Sequence, residues 1–461
     1  MPRNIAVLLF ALLALPVASL MAWVMPPYFN VDETNHVMRA ETVLQGQVLG
    51  VRDADGSSGG VIDTGLLTLL SRYWPVMSEP GGRVGTDRMA EAATIPWAGE
   101  TRFVNIPNTA IYPPTLYLPT MAGLWLGKGL DLPVEASIRL ARLANILCAV
   151  GLVAAALRLA AFGHGPMLAI CLWPMCLAQY AACSQDGLFI ALGALYAALL
   201  SRAIAGGRKA TGAEFLGLAL ITLLISMSRP ANLALLLPLL FIMPGRIGRV
   251  PAWLALPPVL LLTMGWALHA VLYVQVMQVH GDVVPDLRGQ LAHLASHPLD
   301  FPIAMAATLG EWLWPFTVAM LGWIGWGQVN IVLPDALYPA YLWGFGLLLV
   351  LSALSPGNRP AWMPKAGVAL GLLGTIIAIF LLQYLTFTAV GADQVDGVQG
   401  RYFAPLALLP GLLVPALGHL VPPRLQAVLP AAAGLVLVAL GIATAIFLPY
   451  AVMMRLYVTA G

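Results

Sequence analysis

An all-α integral membrane protein of about 11 spans, organised as a single domain over residues 1–461, follows from three features of the sequence. Hydrophobic residues fill 60% of the 461 positions, charged residues only 10%, and mean hydropathy is +0.84. A water-soluble globule has no interior large enough to hide that much apolar surface. The apolar residues come in runs near bilayer length, and 10 of the 21 acids fall in one polar stretch after the first run.

Residues 5–25 form the first span. Arg3 precedes it, and its apolar core reaches the ~20 residues a bilayer requires, longer than a signal peptide's hydrophobic region. An uncleaved anchor with a cytoplasmic N-terminus is therefore expected. Residues 26–110 are the first outer-side loop, with turn-rich tracts DADGSSGG (53–60) and SEPGGRVG (78–85). Its apolar pieces at 61–70 and 89–98 read as short amphipathic helices on the membrane or over a site. A loop of this length is usually functional. Residues 111–460 carry the remaining spans and short loops. Spans are expected at about 139–160, 166–183, 187–203, 213–228, 231–244, 252–274, 334–354, 366–388, 402–420 and 428–449. The stretches 111–127 and 301–326, rich in Pro, Gly and Trp, are expected to be interfacial or re-entrant, since indoles favour the headgroup level.

The charges agree with this order. The cytoplasmic breaks would hold Arg158, Arg202, Arg208, Lys209, Arg246, Arg249, Arg359, Lys365 and Arg424 with one acid, Glu214. That is the positive-inside pattern, against which only Lys128, Arg139 and Arg142 run. Asp186, Asp282, Asp286, Glu311, Asp335, Asp393, Asp396 and Arg401 emerge with Asp32 and Glu33 on the other face. Net charge is +2 and gives no sign of a nucleic-acid partner. The four cysteines, Cys148, Cys171, Cys176 and Cys183, lie in apolar runs without metal-ligand spacing and read as packing residues.

Chemistry is concentrated in YFNVDETNHVMRAETVLQGQ (28–47), where Asp32 and Glu33 follow the first span and His36 and Arg39 continue at helical spacing. Ionisable groups crowded at a bilayer surface indicate catalysis or binding. For Asp32 the plainer reading is the N-cap of a following helix. For Asp186 it is a turn between spans, and for Arg401, in QGRYF beside Gln399 and Tyr402, an interfacial snorkelling arginine. His280, His293 and His297 accompany Asp282 and Asp286 in the 275–300 loop, but their spacing matches no metal motif.

The order of PPYFNVDETNHVMRA (26–40), IYPPTLYLPTMAGLWLG (111–127), SIRLARLAN (137–145), LWPMCLAQYAACSQDG (172–187) and VQGRYFAPL (398–406) resembles the GT-C membrane glycosyltransferases. It is most similar to a poorly characterised bacterial branch of polytopic proteins. The resemblance implies a GT-C-like helical bundle in the bacterial inner membrane, with its active site on the periplasmic side. It also implies an inverting transfer of sugar from a polyprenyl-phosphate-linked donor to a glycan, lipid or protein acceptor among membrane lipids. Asp32 matches the family's first-loop acid and so becomes the general base, with Glu33 as its understudy. His36, Arg39, Tyr112, Asp186, Arg229, Arg401 and Tyr402 become candidates for binding substrate or phosphate, with Tyr117 helping Tyr112 shape the wall. No metal ligands and no certain cofactor are assigned, although some GT-C enzymes hold a divalent cation near that acid. The alternatives are a flippase or transporter for lipid-linked glycans, or a glycan ligase or polymerase. No internal repeat of the kind common in transporters is evident.

Overall fold

The computed structural model describes residues 3–207, 209–242, 245–247, 249–277, 279–356 and 360–458. Arg208 and Arg359, expected in cytoplasmic breaks, lie outside the described residues.

Seven described helices are long and apolar enough to cross a bilayer. They are Arg3–Val24, Val134–Leu159, Asp186–Ile204, Ala252–Val274, Leu337–Leu354, Trp362–Thr386 and Pro423–Leu456. Each coincides with an expected span. Two others, Gly212–Ser228 and Pro230–Leu240, are apolar but shorter. The expected spans 166–183 and 402–420 are not single helices. The first divides into His164–Cys171 and Pro174–Tyr180. The second is a chain of short turns at Gly400–Phe403, Leu406–Leu408, Pro410–Leu413 and Gly418–Leu420. Pro174, Pro405, Pro410 and Pro415 each remove a backbone donor. Broken backbone survives at membrane depth where protein covers it, and residues 166–183 are buried throughout.

The 301–326 stretch is mostly one continuous helix, Asp300–Gly322, which packs on Trp362–Thr386 through Phe316 and Phe380, their rings 6.2 Å apart. The 111–127 stretch forms a 3-10 turn, Pro114–Tyr117, and the helix Leu118–Gly129 against Val134–Leu159. Val134–Leu159 is also flanked by Arg3–Val24 and Asp186–Ile204, forming the bundle's centre. Apolar side chains such as Leu12, Leu261 and Leu435 point outward from peripheral helices, as a lipid-facing surface requires.

The first loop departs from the all-helical expectation. Val51–Arg52, Ser58–Asp63 and Thr101–Asn105 form a three-stranded antiparallel sheet in that order. The apolar piece at 61–70 is therefore split between a strand and the helix Thr64–Ser78. Asp63 makes the junction, accepting from Gly65 N at 2.8 Å and from Ala98 N and Gly99 N at 2.9 Å. The piece at 89–98 overlaps only the end of the helix Thr86–Ala92.

All four cysteines are free, three of them buried, as packing residues should be. The three basic residues that run against the charge trend are all paired with acids: Lys128 with Glu41, Arg139 with Glu135 and Arg142 with Glu33. Neutralised in this way, they contribute little to the charge asymmetry.

Candidate functional site

The site begins with the turn that ends the first helix. Tyr28 and Asp32 both adopt left-handed backbone conformations, with φ of 76° and 57°. Such conformations cost energy in residues other than glycine and persist only where surrounding contacts enforce them. Here the contacts come from Glu33 and Arg142, both fully buried. Arg142 donates to Glu33 through Nε at 2.8 Å and Nη2 at 2.5 Å, and to the carbonyls of Ala22, Met25 and Pro26. Glu33 also accepts from the Tyr28, Cys183 and Asn30 nitrogens. Arg142 thus satisfies carbonyls that the helix end leaves unpaired, and Glu33 fixes the turn that presents Asp32.

Asp32 stands at the N-cap position of Glu33–Leu44, but its side chain makes no capping bond. Its carboxylate points the other way. Oδ1 accepts from Trp326 Nε1 at 2.8 Å, and Oδ2 is paired with Arg401 Nη2. Arg401 Nε in turn lies 3.1 Å from Asp186 Oδ2, and Asp186 Oδ1 pairs with Arg229 Nη2. The result is an alternating chain, Asp32, Arg401, Asp186, Arg229. The Arg401–Asp186 contact is close enough for an ion pair, yet both atoms lack a hydrogen-bond partner within the protein. Charges attract there without aligned donor and acceptor. Arg229 also lies over the rings of Tyr402 and Phe189, at 4.6 Å and 4.8 Å from their centroids.

Gly400 explains how Arg401 reaches this position. A Cβ at Gly400 would lie 2.0 Å from the Phe316 carbonyl oxygen, so only glycine lets this turn rest directly on the Asp300–Gly322 helix. Arg401 is buried between two acids and does not snorkel.

Two cavities meet at the Asp32–Arg401 pair. The first, about 390 Å³, is polar and includes His36, Asn108, Tyr112, Arg229 and Tyr402 in its wall. The second, about 540 Å³, is mainly apolar and includes Trp312, Trp323, Trp326 and Asn330. Asp32, Trp326, Gln399 and Arg401 line both.

Electrostatics keep this centre charged. Burial pushes the Asp32 carboxyl up, but the Arg401 guanidinium and the Trp326 N–H hold it below the ordinary carboxylate range. Burial also favours the uncharged form of Arg401, and Asp32 and Asp186 more than offset it, leaving the guanidinium still harder to deprotonate. Burial drives the His36 imidazole down to about 4. It is therefore neutral at pH 7, with Nδ1 2.5 Å from the Tyr117 hydroxyl and its ring stacked on Tyr112.

The structure brings Asp32, His36, Tyr112, Asp186, Arg229, Arg401 and Tyr402 together. It does not bring Glu33 or Arg39 into the cavities. Both Glu33 oxygens accept strong donors, so the carboxylate expected as an understudy base is occupied in holding the turn. Arg39 is buried and donates to the carbonyls of Gln47, Val48 and Tyr112 and to Thr42, bracing the loop instead of facing substrate. The histidines and acids of the 275–300 loop do not all gather in one place. Asp286 caps a helix through Arg288 N, His280 stacks on Phe387, and His293 and His297 join Asp300 in the metal-capable grouping found among the described residues.

Trp326 is the member of this candidate site that sequence reasoning missed. Its signal was WIGWGQVN (323–330), where glycines flank an indole in a pattern suited to a tight turn. Gly325 and Gly327 take φ of 104° and 64°, and Ile324 bridges Ile331.

A family model described as "Predicted membrane protein (DUF2142)" matches residues 15–410. No curated protein and no solved structure matches the chain.

Proposed function

The chain belongs to that family of membrane proteins, and on this premise we propose that it is an inverting, GT-C-like glycosyltransferase. It would move a sugar from a polyprenyl-phosphate donor to an acceptor at the periplasmic face of a bacterial inner membrane. The observation that carries the reading is the ionised Asp32, held between Trp326 and Arg401 where a polar and an apolar cavity meet.

The donor phosphate enters the polar cavity, the one lined by both Arg229 and Arg401. It draws Arg401 away from Asp32 and supplies the acceptor that Arg401 Nε lacks. Asp32 then loses its strongest stabilising neighbour and becomes more basic. An acceptor hydroxyl gives its proton to Asp32 while its oxygen bonds to the anomeric carbon from the face opposite the phosphate. The anomeric carbon–oxygen bond breaks, and its electron pair leaves on the polyprenyl phosphate. The arginines stabilise the charge growing there, so they act more strongly on the transition state than on the ground state. Asp186 holds both arginines in register, while neutral His36 and Tyr112 shape the wall without adding charge.

We also read the chain as eleven passes, the seven long helices and four shorter or broken ones. Asp32, Asp186, Arg229 and Arg401 would then follow one, three, five and nine passes, all odd, and their mutual contacts support that count. Contacts expected at the opposite end support it too: Lys365 donates to the Val414 carbonyl at 2.9 Å and Leu417 N to the Ala353 carbonyl at 3.0 Å. Transport of a lipid-linked glycan would call for charged groups along a path through the bundle, whereas this acid–arginine chain gathers at one end.

Purified protein in nanodiscs, given a short-chain polyprenyl-phosphate sugar, should release polyprenyl phosphate and stop doing so in Asp32→Asn. Sugar movement across vesicles without bond cleavage would overturn the proposal in favour of a flippase.

A further inference from the structure

Resting on the glycosyl-transfer reading, we propose that the tryptophan-lined cavity is the acceptor subsite and that the acceptor is a saccharide. The division of residues between the two cavities orients the substrates. Arg229 lines only the polar cavity, which assigns the phosphate there. An inverting displacement needs its nucleophile on the opposite side of the anomeric carbon, and the cavity beyond Asp32 and Trp326 is the apolar one.

Its wall suits a sugar ring better than an aliphatic chain. Pyranoses carry C–H patches on their faces and hydroxyls around their edges. Indole faces, negative in their quadrupole, attract the polarised C–H groups, while a few polar side chains meet the hydroxyls. Trp312, Trp323 and Trp326 line the cavity with indole rings, and Asn330 and Gln399 supply amides. The volume of about 540 Å³ falls within the ~300–1,000 Å³ of small-molecule sites.

Two of the indoles, those of Trp323 and Trp326, are also held in a way that interfacial anchors are not. An anchoring tryptophan directs its N–H to headgroups or water. Trp326 gives its N–H to Asp32 at 2.8 Å, and Trp323 gives its N–H to Asn330 Oδ1 at 3.3 Å. Their loop is fastened at both sides, by Gln328 N to the Met77 carbonyl at 2.9 Å and by Arg455 to the Gln328 carbonyl at 2.8 Å. Fixing the ring planes before binding lowers the ordering cost of a ligand. Trp314, 52% exposed, lies outside the cavity wall that Trp312, 42% exposed, lines from the same helix.

Saturation-transfer NMR on the protein in nanodiscs tests this with N-acetylglucosamine, mannose, galactose and chitobiose as probes, and with farnesol and a serine tripeptide as comparators. At least one saccharide should receive saturation, strongest at the ring protons of one face. Its affinity should fall about tenfold in Trp323→Ala and in Trp312→Ala, and recover largely in Trp323→Phe. Binding of farnesyl phosphate should be unchanged in all three variants. Saturation of farnesol or the peptide alone, or saccharide binding indifferent to both tryptophans, would overturn the proposal. Loss of farnesyl-phosphate binding in the wild-type protein, with saccharide binding intact, would support the saccharide subsite while removing the donor reading on which it was built.

Discussion

Asp32 and Glu33 are neighbours in sequence, yet their carboxylates serve opposite ends. Glu33 has no exposure, accepts hydrogen bonds from five nitrogens and binds Arg142 in a paired geometry. Asp32 lines two cavities and belongs to a chain of charges in which Asp186 Oδ2 and Arg401 Nε stay unmatched. A buried ion pair with every lone pair satisfied has nothing left to offer a substrate. One with unmatched atoms beside a cavity can exchange partners when a ligand arrives, because the ligand recovers hydrogen bonds the protein lacks. The completeness of a pair's hydrogen bonding, more than its burial, separates scaffold from candidate chemistry.

The largest expected effect falls on the scaffold side. Glu33→Gln leaves Arg142 buried without its counter-charge, which costs ~3–5 kcal/mol. Size-exclusion profiles and thermal melts in detergent should show loss of folded protein. A folded, stable Glu33→Gln with impaired transfer would erase the distinction. Asp32→Asn should do the reverse, melting near wild type while turnover falls ~10²–10⁴-fold. Comparable melting losses in both variants would mean that the two carboxylates do the same work.

Arg401→Lys separates charge from geometry, because lysine keeps the charge but cannot meet Asp32 and phosphate with paired donors. A loss of one charged hydrogen bond corresponds to about a 10- to 100-fold fall in kcat, with protein stability maintained. Wild-type kcat in this variant would count against phosphate binding by Arg401.

The smallest effect concerns pH. His36 titrates at about 4 in the folded protein against ~6.5 when unfolded. The unfolded chain therefore takes up this proton first. Stability is lost as pH falls from above 6.5 and levels off below about 4. Between pH 7.5 and pH 6 this contributes roughly 1 kcal/mol or less, and His36→Gln should flatten that part of the melting profile. An unchanged slope would indicate that His36 is hydrated and belongs to neither environment.

Much of this was legible in the residues. Bilayer-length apolar runs gave all seven long helices, because hydropathy over ~20 residues is a local property. The breaks at 172–174 and 400–420 were less visible, since prolines that end helices in water are tolerated at membrane depth where neighbours cover the backbone. The small sheet in the first loop was missed because its strands are two to six residues long and its longer pairing, Ser58–Asp63 with Thr101–Asn105, crosses about 40 residues. Of the candidate site residues, those in the outer turns were found by charge at span ends. Arg39 was misassigned because a helix face shows where a side chain starts and not which carbonyls it reaches.

From the sequence alone came the membrane character, the places of the seven long apolar helices and the segments holding ionisable groups, since composition and hydropathy act locally along the chain. It left the roles of adjacent acids undivided. Trp326 and Arg401 reach Asp32 across 294 and 369 residues, and Arg142 reaches Glu33 across 109. No periodicity carries information over such distances. Only the packing of the bundle decided that one carboxylate would be closed in hydrogen bonds and the next left facing two cavities.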